Sequence, residues 1–158
     1  MTNAKKYFSL EDVLGKDATE LTAVKQGEYE VDKLGEVPFT ALNNTEYKQI
    51  KKDCIKMTPN GTGGMEPEVD EDKMMSRVVI AAVDKDTRTN FTFASKALLD
   101  KLTAANAKEG KPPVTTADEA LSVLLSPGEI MNFAVKVQNS SGFGQKAAKE
   151  TQEAVKNS

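Results

Sequence analysis

Over residues 28–33 polar and apolar positions alternate, with Glu28, Glu30 and Asp32 set against Tyr29 and Val31. A period of two marks a half-buried strand. Leu34, Gly35 and Glu36 read as a turn, after which Val37, Phe39 and Ala41 share one face of a second strand. Pro38 lacks a backbone donor, so this strand begins near it or lies at an edge. The pattern predicts a β-hairpin. A lone hairpin is marginal in water, so a third strand or a helix must cover it. Residues 21–25 are the candidate third strand.

Elsewhere the period is helical. Ser9 can cap a short helix that ends at Gly15, with Glu11 and Asp12 at the positive end of its dipole. That helix needs Leu10, Val13 and Leu14 packed on something. Asn43 to Thr45 can cap the next helix, where Tyr47, Ile50, Cys54 and Met57 fall three or four apart. Pro59 and the glycine-rich stretch 61–64 predict its end and a flexible loop. Glu66, Glu68, Asp70, Glu71 and Asp72 suit a helix start. Met74, Met75, Val78, Val79 and Ala82 form the stripe that follows, to about residue 83, and residues 84–90 read as a polar connection.

Ser95 can cap a further helix with Leu98, Leu102 and Ala105 facing inward, broken by Gly110, Pro112 and Pro113. Thr115 or Thr116 opens the next, carrying Ala117, Ala120, Leu121, Leu124 and Leu125 on one face. Ser126, Pro127 and Glu129 have the spacing of a capping box with proline at the first helical position. Ile130, Phe133, Ala134 and Val137 then make the buried stripe, and two helices meet at Ser126 with almost no linker. The fold class predicted is α+β: an N-terminal β-hairpin or small antiparallel sheet, then a bundle of about four α-helices. Residues 1–143 read as one domain and residues 144–158 as a flexible or weakly helical tail.

Composition narrows the function. Hydrophobic residues are 39% and charged residues 28% of 158, with net charge −3 and no histidine. Acids interspersed among the lysines disfavour nucleic-acid binding, which calls for a basic face. The absence of histidine removes the commonest general base, nucleophile partner and metal ligand. The start of the chain has no apolar leader, and no apolar run is long enough to span a bilayer. A single cysteine, Cys54, admits no intramolecular disulfide and fits a reducing compartment. The expectation is a cytoplasmic protein with no membrane segment.

The local motifs carry little chemistry. The glycines of 61–64 lack the Gly-Lys-Ser/Thr of a phosphate loop. Asp84 and Asp86 start like a calcium loop, but Arg88, Thr89 and Ser95 stand where ligands and the turn glycine belong. The acids of 66–72 read as solvated helix-start residues, and Cys54, on an apolar stripe, as a buried structural thiol. No catalytic residue, metal or cofactor is predicted. Phe91, Phe93 and Phe143 lie outside the stripes, either packed under loops or serving as recognition anchors.

The junction Leu124-Leu125-Ser126-Pro127-Gly128-Glu129-Ile130, followed by Ser140-Ser141-Gly142-Phe143, resembles the C-terminal part of the XkdN-like phage tail assembly chaperones. The short helix after Ser9, the Leu34-Gly35 turn and the Pro38-Phe39-Thr40 strand are similar too. Order and spacing agree over roughly residues 8–143. Ser126 stands where a leucine is usual, and the 61–64 and 108–113 stretches are longer than typical.

The resemblance implies a non-enzymatic chaperone that binds the tape measure protein and keeps its hydrophobic helices soluble until tube subunits polymerise around it. It implies work in the bacterial host cytoplasm, absence from the mature particle, and a leaning to contractile tails. The tail 144–158 is a candidate contact for the tail tube protein. Leu125, Ile130, Phe133, Phe143, Met74 and Met75 are the candidate partner-binding residues; each of the stripe residues is alternatively core. The rival reading is a structural tail component, a tube or completion protein retained in the particle.

Overall fold

The computed structural model describes residues 7–143. Two short helices, α1 (Leu10–Leu14) and α2 (Ala18–Thr22), precede a hairpin of β1 (Gln26–Val31) and β2 (Gly35–Thr40). After α3 (Asn44–Asp53) comes a second hairpin, β3 (Ile55–Pro59) and β4 (Met65–Val69). Four helices complete it: α4 (Glu71–Lys85), α5 (Lys96–Lys108), α6 (Ala117–Leu124) and α7 (Pro127–Ser140). The α+β arrangement, an N-terminal hairpin with most helices after it, is the one the sequence predicts; helix α2 and the second antiparallel pair are additions.

In the first hairpin Tyr29 faces Val37 and Gly27 faces Phe39. The Leu34 N–H donates to the Val31 carbonyl across the turn, and Gly35 follows at φ +87°, a left-handed conformation that favours glycine. Helices α4 and α7 cover this ribbon, not a third strand. Residues 18–22 are helical because the Asp17 carboxylate caps the Thr19 N–H. Only Lys25 extends the ladder, its carbonyl accepting from the Ala41 N–H at 2.8 Å.

The core joins Val31 and Phe39 to Val78, Val79 and Ala82 of α4, Ala120 and Leu121 of α6, and Phe133, Ala134 and Val137 of α7. The Phe133 ring lies 4.8 Å from that of Tyr29 and 5.7 Å from that of Phe39, centroid to centroid. Phe93 is fully buried, and Phe91 meets it edge-on at 5.1 Å. Helix α5 packs more loosely, with Leu98, Leu99 and Leu102 half-buried and Ala105 exposed, where the stripe puts it inward.

Further sequence expectations give way. Helix α3 stops at Asp53 with Cys54 as its C-cap, so Met57 lies on β3 instead of the helical stripe. The glycine stretch is the turn of the second hairpin, not a linker: the Asn60 Oδ1 accepts from the Thr62 N–H, the Thr62 hydroxyl and the Gly64 N–H. Glu66 and Glu68 therefore belong to β4, and the helix begins after Asp70, whose carboxylate caps the Lys73 N–H. Finally, α1 is capped by the predicted Ser9–Asp12 exchange, yet Leu10 and Leu14 stand in solvent and no residue of α1 is buried. The expected tail 144–158 lies outside the described residues.

Candidate partner-binding surface

The α6–α7 junction is built as the Ser-Pro-Gly-Glu spacing requires. The Ser126 hydroxyl accepts from the Glu129 N–H at 3.2 Å, and the Glu129 carboxylate accepts from the Ser126 N–H at 3.0 Å. Pro127 occupies the first turn, where its missing N–H costs no helical bond. The cap forces the chain to start a new helix at once, so the two axes bend by 113°. Glu129 also accepts from the Asp32 N–H at 3.0 Å, which ties the first hairpin's turn to the start of α7. The backbone donors of Ser126, then Asp32, hold its carboxyl below the ordinary glutamate value.

The bend opens a groove of about 330 Å³ against the first half of α4. Asp72, Met75 and Ser76 form one wall; Ser122, Leu125, Pro127, Ile130 and Met131 form the other wall and the floor. Leu125 is buried at the floor, Met75 and Ile130 are half-buried, and Met131 is 52% exposed. An apolar trough with polar groups at its rim, bordered by two unbranched thioethers, can adapt to an inserted aliphatic side chain.

The six candidate residues separate. Met75, Leu125 and Ile130 come together in the groove. Phe133 and Met74 are core: the Phe133 ring is enclosed by Tyr29 and Phe39 and has no free face in this structure. Phe143 is 49% exposed at the opposite end of α7, stacked on Tyr47 at 4.6 Å. Sequence reasoning missed Met131, which sits one position off the buried stripe, and Asp72, which contributes to a wall as well as to the first turn of α4. Cys54 is buried, and burial pushes its thiol above the ordinary value.

Among the described residues no group of three His, Cys, Asp or Glu side chains comes together as metal ligands. No single described helix is long and apolar enough to cross a membrane. A family model for the phage XkdN-like tail assembly chaperone protein matches residues 10–156 of the chain. No curated protein and no solved structure matches it.

Proposed function

The chain belongs to the phage XkdN-like tail assembly chaperone family, and from that premise we propose that it binds the tape measure protein and keeps it soluble during tail assembly. The observation that carries this reading is the groove at the α6–α7 bend, where Met75, Ile130 and Met131 present apolar surface beside polar rim groups. Covering that surface with a partner's aliphatic side chains releases roughly 25 cal/mol per Å² and requires no catalytic group. A modest contact of this kind suits a chaperone that must later give its client up. Residues 144–158 would offer a second point of contact, to the tail tube protein. On this reading the chaperone would act in the host cytoplasm, would be absent from the finished particle, and would serve a contractile tail.

Co-expression with the tape measure protein of the same gene cluster tests the reading. The tape measure protein should become soluble and co-purify, and Met131→Asp should lower its recovery while leaving the chaperone folded. A tape measure protein that stays insoluble beside a well-folded chaperone overturns the reading. Recovery of this chain in purified mature particles favours the structural tail component instead.

A further inference from the structure

The second hairpin has two unlike faces. Its register sets Ile55 opposite Val69, Met57 opposite Pro67 and Pro59 opposite Met65, so all six of these residues lie on one face. Lys56, Glu68, Thr58 and Glu66 make up the other. Val69 is half-buried and packs against the core at the base. Beyond it, Ile55, Met57 and Met65 are each about half exposed, at 49%, 55% and 56%. A two-stranded ribbon is marginal in water, and one with a bare apolar face gains from being covered.

The backbone says what kind of element covers it. The ladder bonds run from the Asp70 N–H to the Cys54 carbonyl at one end and from the Asn60 N–H to the Gly64 carbonyl at the other. Residues 54, 56, 58, 60 and their partners are thus the hydrogen-bonded pairs, and the backbone groups of 55, 57, 59, 65, 67 and 69 point outward at the two edges. Pro59 and Pro67 occupy outward positions, one on each strand, and Pro67 sits in the middle of β4. Each edge therefore lacks a donor that an added strand would need. The prolines disfavour strand addition at either edge, while the apolar face stays open.

A face of five-residue strands is ~16 Å long and about one helix wide, the footprint of about three helical turns. Three half-exposed aliphatic side chains and two prolines amount to roughly a few hundred Å², short of the ~800 Å² per partner that a stable dimer buries. The surface fits one segment of a partner better than a second copy of the domain. Charge adds the last constraint: Glu66 and Glu68 lie on the opposite face, but Asp70, Glu71 and Asp72 follow β4 directly and make the base of the ribbon acidic.

We propose that the apolar face of the β3–β4 ribbon docks a single amphipathic helix of a partner protein, whose apolar stripe is bordered by Lys or Arg. The inference rests on the chaperone reading only for whose helix it is. The test is methyl NMR of the full chain titrated with a synthetic helical peptide of Leu and Ala flanked by Lys. Two controls are the same peptide with Glu for Lys and an extended, strand-forming peptide.

The Ile55, Met57 and Met65 methyls should shift and saturate with the Lys-flanked helix. Binding should fall at least tenfold for the Glu-flanked helix, and likewise for Met57→Asp, whose fold circular dichroism checks. Shifts confined to Met75, Ile130 and Met131, or equal binding of the strand-forming peptide, overturn the proposal. So do ribbon methyls that move with protein concentration alone, which assigns the face to a second copy. Ribbon methyls that move when residues 144–158 are deleted assign it to the chain's own tail and overturn it too. Tape measure co-purification is scored separately, so the ribbon and the chaperone reading can each fail alone.

Discussion

The Arg88 guanidinium grips the Asp86 carboxylate through Nε at 3.1 Å to both oxygens and through Nη2 at 2.9 Å, two residues apart on a loop that reads in sequence as a polar connection. The Asp86 side chain is 1% exposed and also accepts from the Thr40 hydroxyl at 2.9 Å. The other end of the fork reaches the first hairpin: Nη2 donates to the Gly27 and Phe39 carbonyls, and Nη1 to the Glu28 carboxylate. This pair fastens β1 and β2 to the end of α4.

Removing the carboxylate should therefore loosen the hairpin. The Arg88 hydrogen bond, ahead of those from its backbone and from Thr40, holds the Asp86 carboxyl below its ordinary 3.8. A carboxyl whose folded pKa is depressed contributes stability above the unfolded value, and that contribution is lost as pH falls through the folded value. Asp86→Ala should cost about 2 kcal/mol at neutral pH by leaving buried donors unpaired. The difference in Tm between the two proteins should shrink as pH drops below 3.8, and thermal melts across that range measure it.

Gly27 sits under the Phe39 ring. A Cβ placed on it would stand 2.7 Å from Phe39 Cζ, and the ring is fully buried and cannot swing aside. Gly27→Ala should destabilise the domain by about 1–3 kcal/mol through overpacking, although alanine is otherwise the better strand residue. Urea melts should show the loss with an unchanged m-value.

These positions show where sequence reading succeeds and stops. Ser126 to Glu129 was legible because a capping box is local chemistry, complete within four residues. The first hairpin was legible because Tyr29, Val31, Val37 and Phe39 alternate against charge. The second hairpin was not: Cys54 and Met57 extend the α3 spacing by coincidence, and only pairing with residues 65–69, across a glycine turn, makes that stretch a strand. The Asp86–Arg88 fork was hidden for the same reason, since its carbonyl partners Gly27 and Phe39 lie 61 and 49 residues from Arg88. In the groove, Ile130 and Leu125 belong to legible stripes. Met131 gains its meaning from the 113° bend, which no local pattern encodes.

Cys54 should be slow to react. Its side chain is buried, and burial raises its pKa, only partly offset by Lys73 and Arg77. The thiolate is the reactive form, so at neutral pH a disulfide reagent should reach it only when the base of β3 opens. Labelling in denaturant should run at least ~100-fold faster than in buffer. Equal rates would place the thiol in solvent and contradict the cap geometry at the end of α3.

Helix α7 gives the sharpest contrast between core and surface. Phe133 is enclosed by Tyr29 and Phe39, while Met131, two residues earlier, stands half exposed over the groove. Truncating the first should leave a cavity in the middle of the core, costing about 3–5 kcal/mol for Phe133→Ala. Charging the second removes no enclosed contact, so Met131→Asp should change stability by less than ~0.5 kcal/mol. Paired denaturant melts measure both. If Met131→Asp unfolds the chain as Phe133→Ala does, the groove wall is part of the core and cannot serve a partner. If both proteins keep full stability, the packing of α7 on the first hairpin is wrong, and the placement of the groove falls with it.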